Sequence, residues 1–531
     1  MCVCPGVTRG RGAGRRSTGP TLDQPLVPPN MTPPQIPRFT GQPGLKVPVN
    51  GPLPLDYFRL FMTNELIDML VTETNRYAQQ TIASGRFNKP FARMNMWKDV
   101  NREEMEKFIG LMLLTGIVNK PSIESYWSTK ALLQTPIFTE TMPRNRYQSI
   151  LRFWHCNDNT QEPLRNDPNR DRLFKVRPMV TSLQQLFQQV YTPDKNVAVD
   201  ESLLLWKGKL VFKQYIPLKR ARFGIKLFNL CEESGYTYRF HIYTGKEDPA
   251  FMIQDHLPPE AAHLTATEKI VVFMTQDILD QGYHVFMDNW YSGARLYQYM
   301  LNRDTVCCGT IRSNRVPLEV QQLEVSHEDP VQALRSGPLL FLKWQSSKEV
   351  YMLTTMHDER MVQVTARGGR RVRKPSCVVS YNTNMGAVDR ADQMIQPYDA
   401  TRKTARWYKK LMTHLLQVSL LNAYIVFKKD RQSTMDFLSF QEHVIESLLL
   451  RDNPTPQTPL VVTEDAARLQ GRHFPRSVPN TGGSHGTQRR CRVCSKRGIR
   501  RESRVMCQMC PSQPGLCAVP CFEIYHTLKS F

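Results

Sequence analysis

The sequence predicts an α+β protein of several domains. The spacing of apolar residues is helical over 54–194, becomes strand-like from about residue 195, and is helical again beyond 386. Of the 13 cysteines, six fall between Cys491 and Cys521, which is typical of a metal-binding module. A length of 531 residues corresponds to three or four units at roughly 150 residues each.

Charge and hydropathy narrow the class of partner. Lys and Arg number 70 against 48 Asp and Glu, so the net charge of +22 favours nucleic acid. The longest nearly apolar run, Leu415 to Phe427, is shorter than the ~20 residues of a membrane helix. The first twenty residues lack the apolar core of a signal peptide. We therefore expect neither a membrane partner nor secretion.

The N-terminal half divides into a tail and a helical domain. Residues 1–53 hold ten Pro in the first fifty positions and are predicted to be a disordered basic tail. The helical pattern over 54–194 includes acids at the start of the helix near Glu103, where the helix dipole favours them. We expect a helical DNA-binding and dimerisation domain here, completed by the apolar helical stretch 401–450.

Strand patterns begin near Asn196 and define a catalytic-type core. Short apolar runs at 197–199, 210–212, 225–230 and 236–243 are separated by turn signals, and a helix over 265–279 precedes a strand at 284–287. The core is predicted to span 195–312 and 379–400, with 313–378 as an insertion domain. Residues 451–488 are rich in turn-forming types and predict a linker before the cysteine-rich domain at 489–531.

Four aspartates stand at the ends of these elements. Asp200 ends the first strand, Asp288 ends a strand that follows a helix, and Asp389 and Asp392 lie three residues apart on one helical turn. A single Asp after a strand is usually a turn residue. Together they follow the element order of an RNase H-like nucleotidyl transferase, whose carboxylates hold two Mg²⁺ ions.

Longer blocks of sequence resemble the piggyBac-type transposases. The similarity extends from Pro37 to the end of the chain and is carried by Pro37–Gly44, Val199–Ser202, Phe212–Arg220, Phe286–Gly293, Tyr381–Gln393, Arg402–Trp407 and the C-terminal cysteines.

The resemblance implies a DNA transposase with an RNase H-like core. Asp200, Asp288 and Asp389 would bind two Mg²⁺ ions and Asp392 would be a fourth acid supporting the site. The implied reaction is cut-and-paste transposition through hairpin ends, with joining at a TTAA target. Double-stranded DNA would be the substrate rather than a small molecule, the protein would be a nuclear homodimer, and the alternative is a domesticated, non-mobile DNA- or chromatin-binding derivative.

The cysteine spacing predicts two structural zinc ions. Two CxxC pairs, a CxxxC pair and a histidine supply seven of the eight ligands: Cys491, Cys494, Cys507, Cys510, Cys517, Cys521 and His526. The eighth ligand is His473 or His485, or one of the two sites has an open position. A cross-brace would join the first and third pairs around one ion. The alternative is a disulfide cluster.

The cysteine-rich module also carries a dense positive charge. Eight basic residues surround its first CxxC pair against the single acid Glu502. In the family this domain recognises the transposon terminal repeat, and the charge favours DNA contact. Protein binding, including a ubiquitin-ligase role, is the competing interpretation of a cross-brace.

Further basic residues are predicted to contact DNA. They are Lys219, Arg220, Arg222, Arg402, Lys403, Arg406, Trp407 and Lys409. The indole of Trp407 would either stack on bases or belong to the core. The basic run from Arg367 to Lys374 is either a nuclear import signal or a DNA contact, and the sequence does not separate the two.

Overall fold

The fold is described from a computed structural model. It describes residues 22–29, 34–85, 96–164, 166–167, 170–217, 219, 221–245, 248, 257–365, 368–450, 473–479, 487–510 and 512–528. The chain forms two compact units, Met1–Leu449 and Leu450–Phe531. None of the helices in the described ranges has the length and apolar character that crossing a bilayer requires.

Helices occupy both ends of the first unit. In chain order they are α1 (Pro54–Phe58), α2 (Asn64–Ala83), α3 (Arg102–Ile117), α4 (Pro136–Thr141), α5 (Arg144–Phe153), α6 (Arg177–Val190), α7 (Ala266–Thr275), α8 (Ala294–Leu301), α9 (Leu318–Gln321), α10 (Ser376–Asn384), α11 (Ala387–Ile395), α12 (Trp407–Arg431) and α13 (Phe437–Leu449). Polar caps begin several of them: the side chain of Thr63 accepts from Leu66 N–H at 3.3 Å, and that of Asn101 from Glu104 N–H at 2.8 Å.

The N-terminal and C-terminal helices of this unit pack on each other. The ring of Tyr57 on α1 lies 5.1 Å from that of Phe427 on α12, edge to face. Gly110 on α3 faces the side chain of Leu449 on α13 so closely that a Cβ would lie 2.7 Å from it. The segments 54–194 and 401–450 therefore share one apolar core.

Strands form a nine-stranded mixed sheet and two small ribbons in this unit. They are β1 (Gly44–Leu45), β2 (Tyr191–Thr192), β3 (Asn196–Leu205), β4 (Gln214–Tyr215), β5 (Phe223–Glu232), β6 (Thr237–Ile242), β7 (His284–Met287), β8 (Val306–Thr310), β9 (Val331–Ser336), β10 (Leu339–Gln345), β11 (Glu349–Thr354), β12 (Met361–Thr365) and β13 (Arg371–Pro375).

The centre of the large sheet has the predicted RNase H-like arrangement. β5 lies between β6 and β3 with antiparallel pairing, and β7 and β8 continue beyond β3 as parallel neighbours. The run Val197–Val199 is fully buried, as its β-branched composition predicts. The order of these five strands confirms the fold class, because a three-stranded meander is followed by two parallel strands reached through helices.

The predicted insertion, 313–378, is not a separate sheet domain. β11 pairs antiparallel with β8, and β10 and β9 follow, so three strands of this segment extend the core sheet. The interpretation as an independent insertion missed this because strand partners do not appear in the pattern of a single segment. β12 and β13 pair only with each other within the described residues.

The N-terminal segment differs from the predicted disordered tail. Val27 exchanges backbone hydrogen bonds with Arg335 at 2.9 and 2.8 Å, Gly44–Leu45 pairs with Tyr191–Thr192, and Thr40 N–H donates to Gln281 O at 2.9 Å. Prolines did not prevent this, because non-proline residues between them supply the donors. Residues 1–21 and 30–33 lie outside the described residues.

The second unit is small and built on short elements. They are β14 (Pro475–Ser477), β15 (Arg489–Arg490), β16 (Glu502–Ser503), β17 (Val505–Cys507), α14 (Arg492–Lys496) and α15 (Cys521–Thr527). β14 pairs with β17, so residues 475–477 of the predicted linker are part of this module. The remainder of the linker is described only in part.

Candidate active site and metal-binding module

Asp200 and Asp288 lie at the same level of two neighbouring parallel strands. Asp288 follows the end of β7 as predicted, whereas Asp200 does not end its strand, because β3 continues to Leu205 by pairing with β5. Val199 on β3 is the register partner of Met287 on β7, and each aspartate is the next residue. Neighbouring strands are about 4.8 Å apart. Both aspartates are half-buried. The fold therefore brings these two predicted residues together, although 87 residues of chain separate them.

Local hydrogen bonds fix both carboxylates. Oδ1 of Asp200 accepts from Glu201 N–H at 2.8 Å, and Oδ1 of Asp288 accepts from Trp290 N–H at 2.8 Å. Gly309, opposite Met287 on β8, leaves room for the turn, since a Cβ there would lie 2.3 Å from Met287 O and 2.7 Å from Ser292 Oγ. The turn after β7 thus depends on a glycine in the next strand.

Asp389 and Asp392 lie on α11, which packs against β3. The side chain of Asp389 is 60% exposed, whereas that of Asp392 is half-buried. Nζ of Lys219 is 3.9 Å from Oδ1 of Asp389 and donates to Glu201 O at 3.0 Å. Lys219 therefore links the helix that carries two of the acids to the strand that carries Asp200.

The charges of this cluster are poorly compensated. Burial raises the pKa of Asp200 to about 7, the neighbouring Glu201 carboxylate adds to the rise, and Lys219 opposes it. Burial also raises the pKa of Asp392 to about 6, again opposed by Lys219. The pKa of Asp288 is raised by burial and by Glu201. Half-buried carboxylates with elevated pKa values are groups that a bound cation would stabilise.

The donor set fits divalent ions of the hard class. Carboxylate oxygens are the ligands that Mg²⁺ prefers. Among the described residues, no three of the acidic side chains have oxygens that all lie within 4.8 Å of one another. A two-metal site does not require this, because its ions are about 3.5–4 Å apart and its outer ligands bind different ions. The β3–β7 register sets Asp200 beside Asp288, and α11, which carries the other two acids, packs against β3.

Sequence reasoning missed three residues of this site. Glu201 Oε2 accepts from the Tyr291 hydroxyl at 2.9 Å and lies 3.9 Å from Nζ of Lys226. The Lys226 ammonium also lies 4.4 Å from the ring centroid of Trp290. A lysine in the apolar run of β5 was the available signal, since an uncompensated charge in such a strand needs a partner.

Of the DNA-binding residues predicted in the meander, two are described and one is not. Lys219 and Arg222 line a cavity of about 950 Å³ together with Asp389 and Asp392. Arg220 lies outside the described residues. The cavity thus combines two of the predicted acids with cations that attract phosphate.

Some side chains of the basic stretch before and within α12 are buried in contacts inside the protein and do not face solvent. Lys409 is buried, its Nζ donates to Leu151 O at 2.5 Å and to Arg152 O at 2.6 Å, and burial lowers its pKa to about 7. The predicted phosphate contact of Lys409 is therefore wrong for this conformation. The sequence misled because a charged residue in a basic run is normally exposed.

Of the other predicted DNA-binding residues in this stretch, two contact neighbouring residues of the fold and two are exposed. Arg402 donates to Lys120 O at 3.2 Å and to the Tyr126 hydroxyl. Trp407 is half-buried and packs edge-on to Phe212 at 5.4 Å, which favours its interpretation as a packing residue. The side chains of Lys403 and Arg406 are exposed. Their DNA contact stays a prediction.

The second unit brings eight cysteine and histidine side chains into two groups. Within each group all ligand atoms lie within 4.8 Å of one another, and the groups are Cys491, Cys494, Cys517, Cys521 and His473, Cys507, Cys510, His526. The first and third pairs share one group, as the cross-brace prediction requires. His473 completes the second group, whereas the other candidate, His485, lies outside the described residues.

The distances within these groups fit zinc rather than disulfides. Sγ of Cys494 is 3.6 Å from that of Cys521 and 3.9 Å from that of Cys517. Tetrahedral ligands at about 2.3 Å from zinc are about 3.8 Å apart. A disulfide would need about 2.05 Å. None of the six cysteines of the module is in a disulfide bond.

One part of the module surface is strongly basic. Seven arginine and lysine side chains around the first CxxC pair are exposed, and they are Arg490, Arg492, Lys496, Arg497, Arg500, Arg501 and Arg504. Glu502 is the acid among them. This density of exposed cations suits contact with a phosphate backbone.

Comparison with known families gives two matches along the chain. The family model described as Transposase IS4 matches residues 53–424, and one described as a DDE_Tnp_1-like zinc finger matches residues 477–527. The zinc-finger match supports zinc as the metal of the cysteine module.

Curated relatives and a solved structure extend the likeness. PiggyBac transposable element-derived protein 3 of Homo sapiens is 23% identical over 487 residues, covering 89% of this chain and 76% of that protein. PiggyBac transposable element-derived protein 2 of Homo sapiens is 23% identical over 410 residues, covering 74% and 64%. The cryo-EM structure of a piggyBac transposase synaptic complex with hairpin DNA covers 90% of this chain and 98% of its own, with a TM-score of 0.65 and 24% identity. At that identity the structural likeness shows a shared fold.

Replacing Asp200 by Asn is expected to stabilise the metal-free protein at neutral pH. Burial raises the pKa of Asp200 to about 7, while an unfolded chain keeps it near 3.9. Folding stability is therefore lost as the pH rises from about 4 through 7, because the folded state must release a proton that it holds. Asp200→Asn should add about 2–4 kcal/mol to the free energy of unfolding at pH 7.5, and nothing at pH 4.

Chemical denaturation in buffer without added Mg²⁺ at both pH values measures this gain. Asp329→Asn is the matched control, because Asp329 is exposed and its substitution should change stability at neither pH. Equal stability of Asp200→Asn and wild type at pH 7.5 would show that the Asp200 carboxylate carries no burial penalty.

Proposed function

Because the chain belongs to the piggyBac-type transposase family, as the match over residues 53–424 shows, we propose that it cuts and joins DNA as a metal-dependent transposase. The observation that carries the proposal is the register of β3 and β7, which sets Asp200 beside Asp288. The proposed metal ligands are Asp200, Asp288 and Asp389, with Asp392 in support. Joining at a TTAA target is part of the proposal through the family resemblance.

The chain's own residues would perform distinct tasks. Two Mg²⁺ ions, when bound, would supply activation of an oxygen nucleophile and stabilisation of the leaving oxygen. Asp200 and Asp288 would hold the ions from the sheet edge, and exposed Asp389 from the substrate side. Lys219, which already contacts Asp389, would attract the scissile phosphate and orient it. Glu201, held by Tyr291 and Lys226, would position the main chain beside Asp200.

Double-stranded DNA is the proposed substrate. The net charge of +22 and the exposed cations of the second unit support it. The solved structure with the same fold is, by its title, a synaptic complex with hairpin DNA. Cutting two ends in concert requires two active sites, so a homodimer is part of the proposal. A nuclear location is part of the proposal, because the proposed substrate is double-stranded DNA.

The second unit is proposed to bind two structural zinc ions and to contact the transposon end. Its two ligand groups have four members each, so each group would close a tetrahedral site. Zinc would supply folding energy, since this unit has a small apolar core around the ligands. The exposed arginines beside the first CxxC pair would contact phosphates.

A non-catalytic DNA- or chromatin-binding role is the second candidate. One observation favours it: the curated relatives named above are transposable element-derived proteins by name. This role would retain the basic module and lose cleavage.

Replacing Asp288 by Asn is expected to abolish strand cleavage. Loss of one metal ligand removes several kcal/mol of transition-state stabilisation, so excision should fall on the order of 10³-fold or more. Binding to the element's ends should stay unchanged, because the substitution lies outside the basic module. Two measurements check this: excision of a marker flanked by the element's own inverted repeats, and binding to those repeats in buffer without added Mg²⁺ or chelator.

Asp329→Asn, an exposed aspartate outside the cluster, is the control and should excise like the wild type. Excision by Asp288→Asn at the wild-type rate would contradict the catalytic assignment. End binding without excision by wild-type protein would instead favour the non-catalytic role.

The full-length protein is expected to bind two zinc ions, one in each group. Cys494→Ser and His473→Ala should each reduce the bound zinc from two ions to one, because they remove a ligand from different groups. Elemental analysis of the purified chain measures the stoichiometry.

His263→Ala, an exposed histidine of the first unit, is the control and should retain both ions. Two ions retained by His473→Ala would exclude His473 as a ligand and leave the second group with three.

A further inference from the structure

We propose that the two-stranded ribbon formed by β12 and β13 is a second duplex-DNA-binding element, separate from the acidic cluster and from the zinc module. It presents a polar, cationic face made of Gln363, Thr365, Arg371 and Arg373. The inference goes beyond the proposed catalysis, because it concerns binding and holds whether or not the protein cleaves DNA.

The ribbon has two chemically different faces. Its cross-strand pairs alternate between exposed Gln363↔Arg373 and Thr365↔Arg371 on one side and half-buried Val362↔Lys374 and Val364↔Val372 on the other. An isolated pair of strands is marginal in water unless one face is covered. The three valines account for the covered face, so the arginine face is directed outward.

The charge of the ribbon is of one sign. Residues 361–375 contain no Asp or Glu, and the described ones include Arg370, Arg371, Arg373 and Lys374. Within the described part of the chain, neither Arg371 nor Arg373 has a carboxylate within ion-pair distance. Arg373 borders a cavity of about 610 Å³ that Glu328, Asp329 and Glu359 also line. Guanidinium groups that no carboxylate contacts still attract a polyanion.

The shape of the ribbon matches a DNA groove. A major groove of about 12 Å admits a two-stranded β-ribbon. Arginine forks bind phosphate or the O6/N7 edge of guanine, and a glutamine amide pairs with adenine. The exposed face thus carries the side-chain types that such an approach uses.

The strand pairing also bears on whether the basic run from Arg367 to Lys374 is a nuclear import signal or a DNA contact. A linear import signal would present Arg371, Arg373 and Lys374 together. In the ribbon Lys374 lies on the opposite face from the two arginines, so the run is not one continuous surface. Duplex DNA, approached by one face, fits this division better than a receptor for an extended peptide.

The ribbon is firmly joined to the part of the fold that carries the acids. Ser376 N–H donates to Arg360 O at 2.8 Å and closes its base. The helix α10 begins there, buries Cys377 and Val378 in the core of the sheet, and leads to α11 with Asp389. DNA held on the ribbon would therefore be held at a defined position relative to the cluster.

The test is the salt dependence of binding to a 30-base-pair duplex by the full-length protein. Fluorescence anisotropy in buffer without added Mg²⁺, and without a chelator that would remove zinc, reports binding without any need for cleavage. Arg371→Ala/Arg373→Ala should lower the slope of log K against log salt by about 2 in magnitude and weaken binding at 0.1 M salt on the order of tenfold. Arg371→Lys/Arg373→Lys should keep the slope, since the charge remains.

Lys374→Ala is the matched control on the opposite face and should leave the slope unchanged. Arg371→Gln/Arg373→Gln, which keeps side-chain length, replaces the alanine pair if circular dichroism shows that pair to be unfolded. An unchanged slope and affinity in a folded double variant would overturn the proposal. Loss of binding to an import receptor with unchanged DNA affinity would overturn it in favour of a transport signal.

Discussion

The parallel register of β3 and β7 is the constraint on which the site depends. Because Val199 lies opposite Met287, the residue that follows each of them is an aspartate, and both aspartates stand at the same level of the sheet. A shift of one residue would turn one carboxylate to the other face. Buried β-branched and aromatic side chains on both strands hold this register, so the apolar core fixes the acids. Gly309 then permits the tight turn that follows β7.

The aspartate cluster lowers the free energy of unfolding of the metal-free protein. Burial and the Glu201 charge raise the pKa of Asp200, and burial raises that of Asp392, with Lys219 as the cation that faces both. A sequence selected for stability alone would have apolar residues in place of these aspartates. Half-buried acids that lack full compensation are instead typical of sites that a cation completes. The Tyr291–Glu201–Lys226 contacts limit the penalty by pairing the remaining acid.

Much of the fold could be predicted from local pattern, and the exceptions share a cause. The core strands, the helix bounds near Arg102–Ile117 and the cross-braced ligand pairs follow from spacing and residue type. The choice of strand partners does not follow from local pattern. The pairing of β11 with β8 and of Val27 with Arg335 depends on which strand edges the rest of the fold brings near. Burial of Lys409 and the role of Glu201 likewise depend on neighbours from other segments. The four aspartates could be singled out because their element order, unlike these contacts, is visible in the chain, and their joint role stays a prediction.

Diffraction from crystals grown with Mn²⁺ tests the central claim most directly. Anomalous scattering locates manganese independently of any assay of activity. The account predicts two ions about 3.5–4 Å apart, bound by the carboxylates of Asp200, Asp288 and Asp389, and no manganese there in Asp200→Asn. Well-ordered aspartates without manganese at saturating concentration, in crystals whose cysteine module holds its zinc, would contradict the claim and leave a DNA-binding protein without a metal-dependent active site.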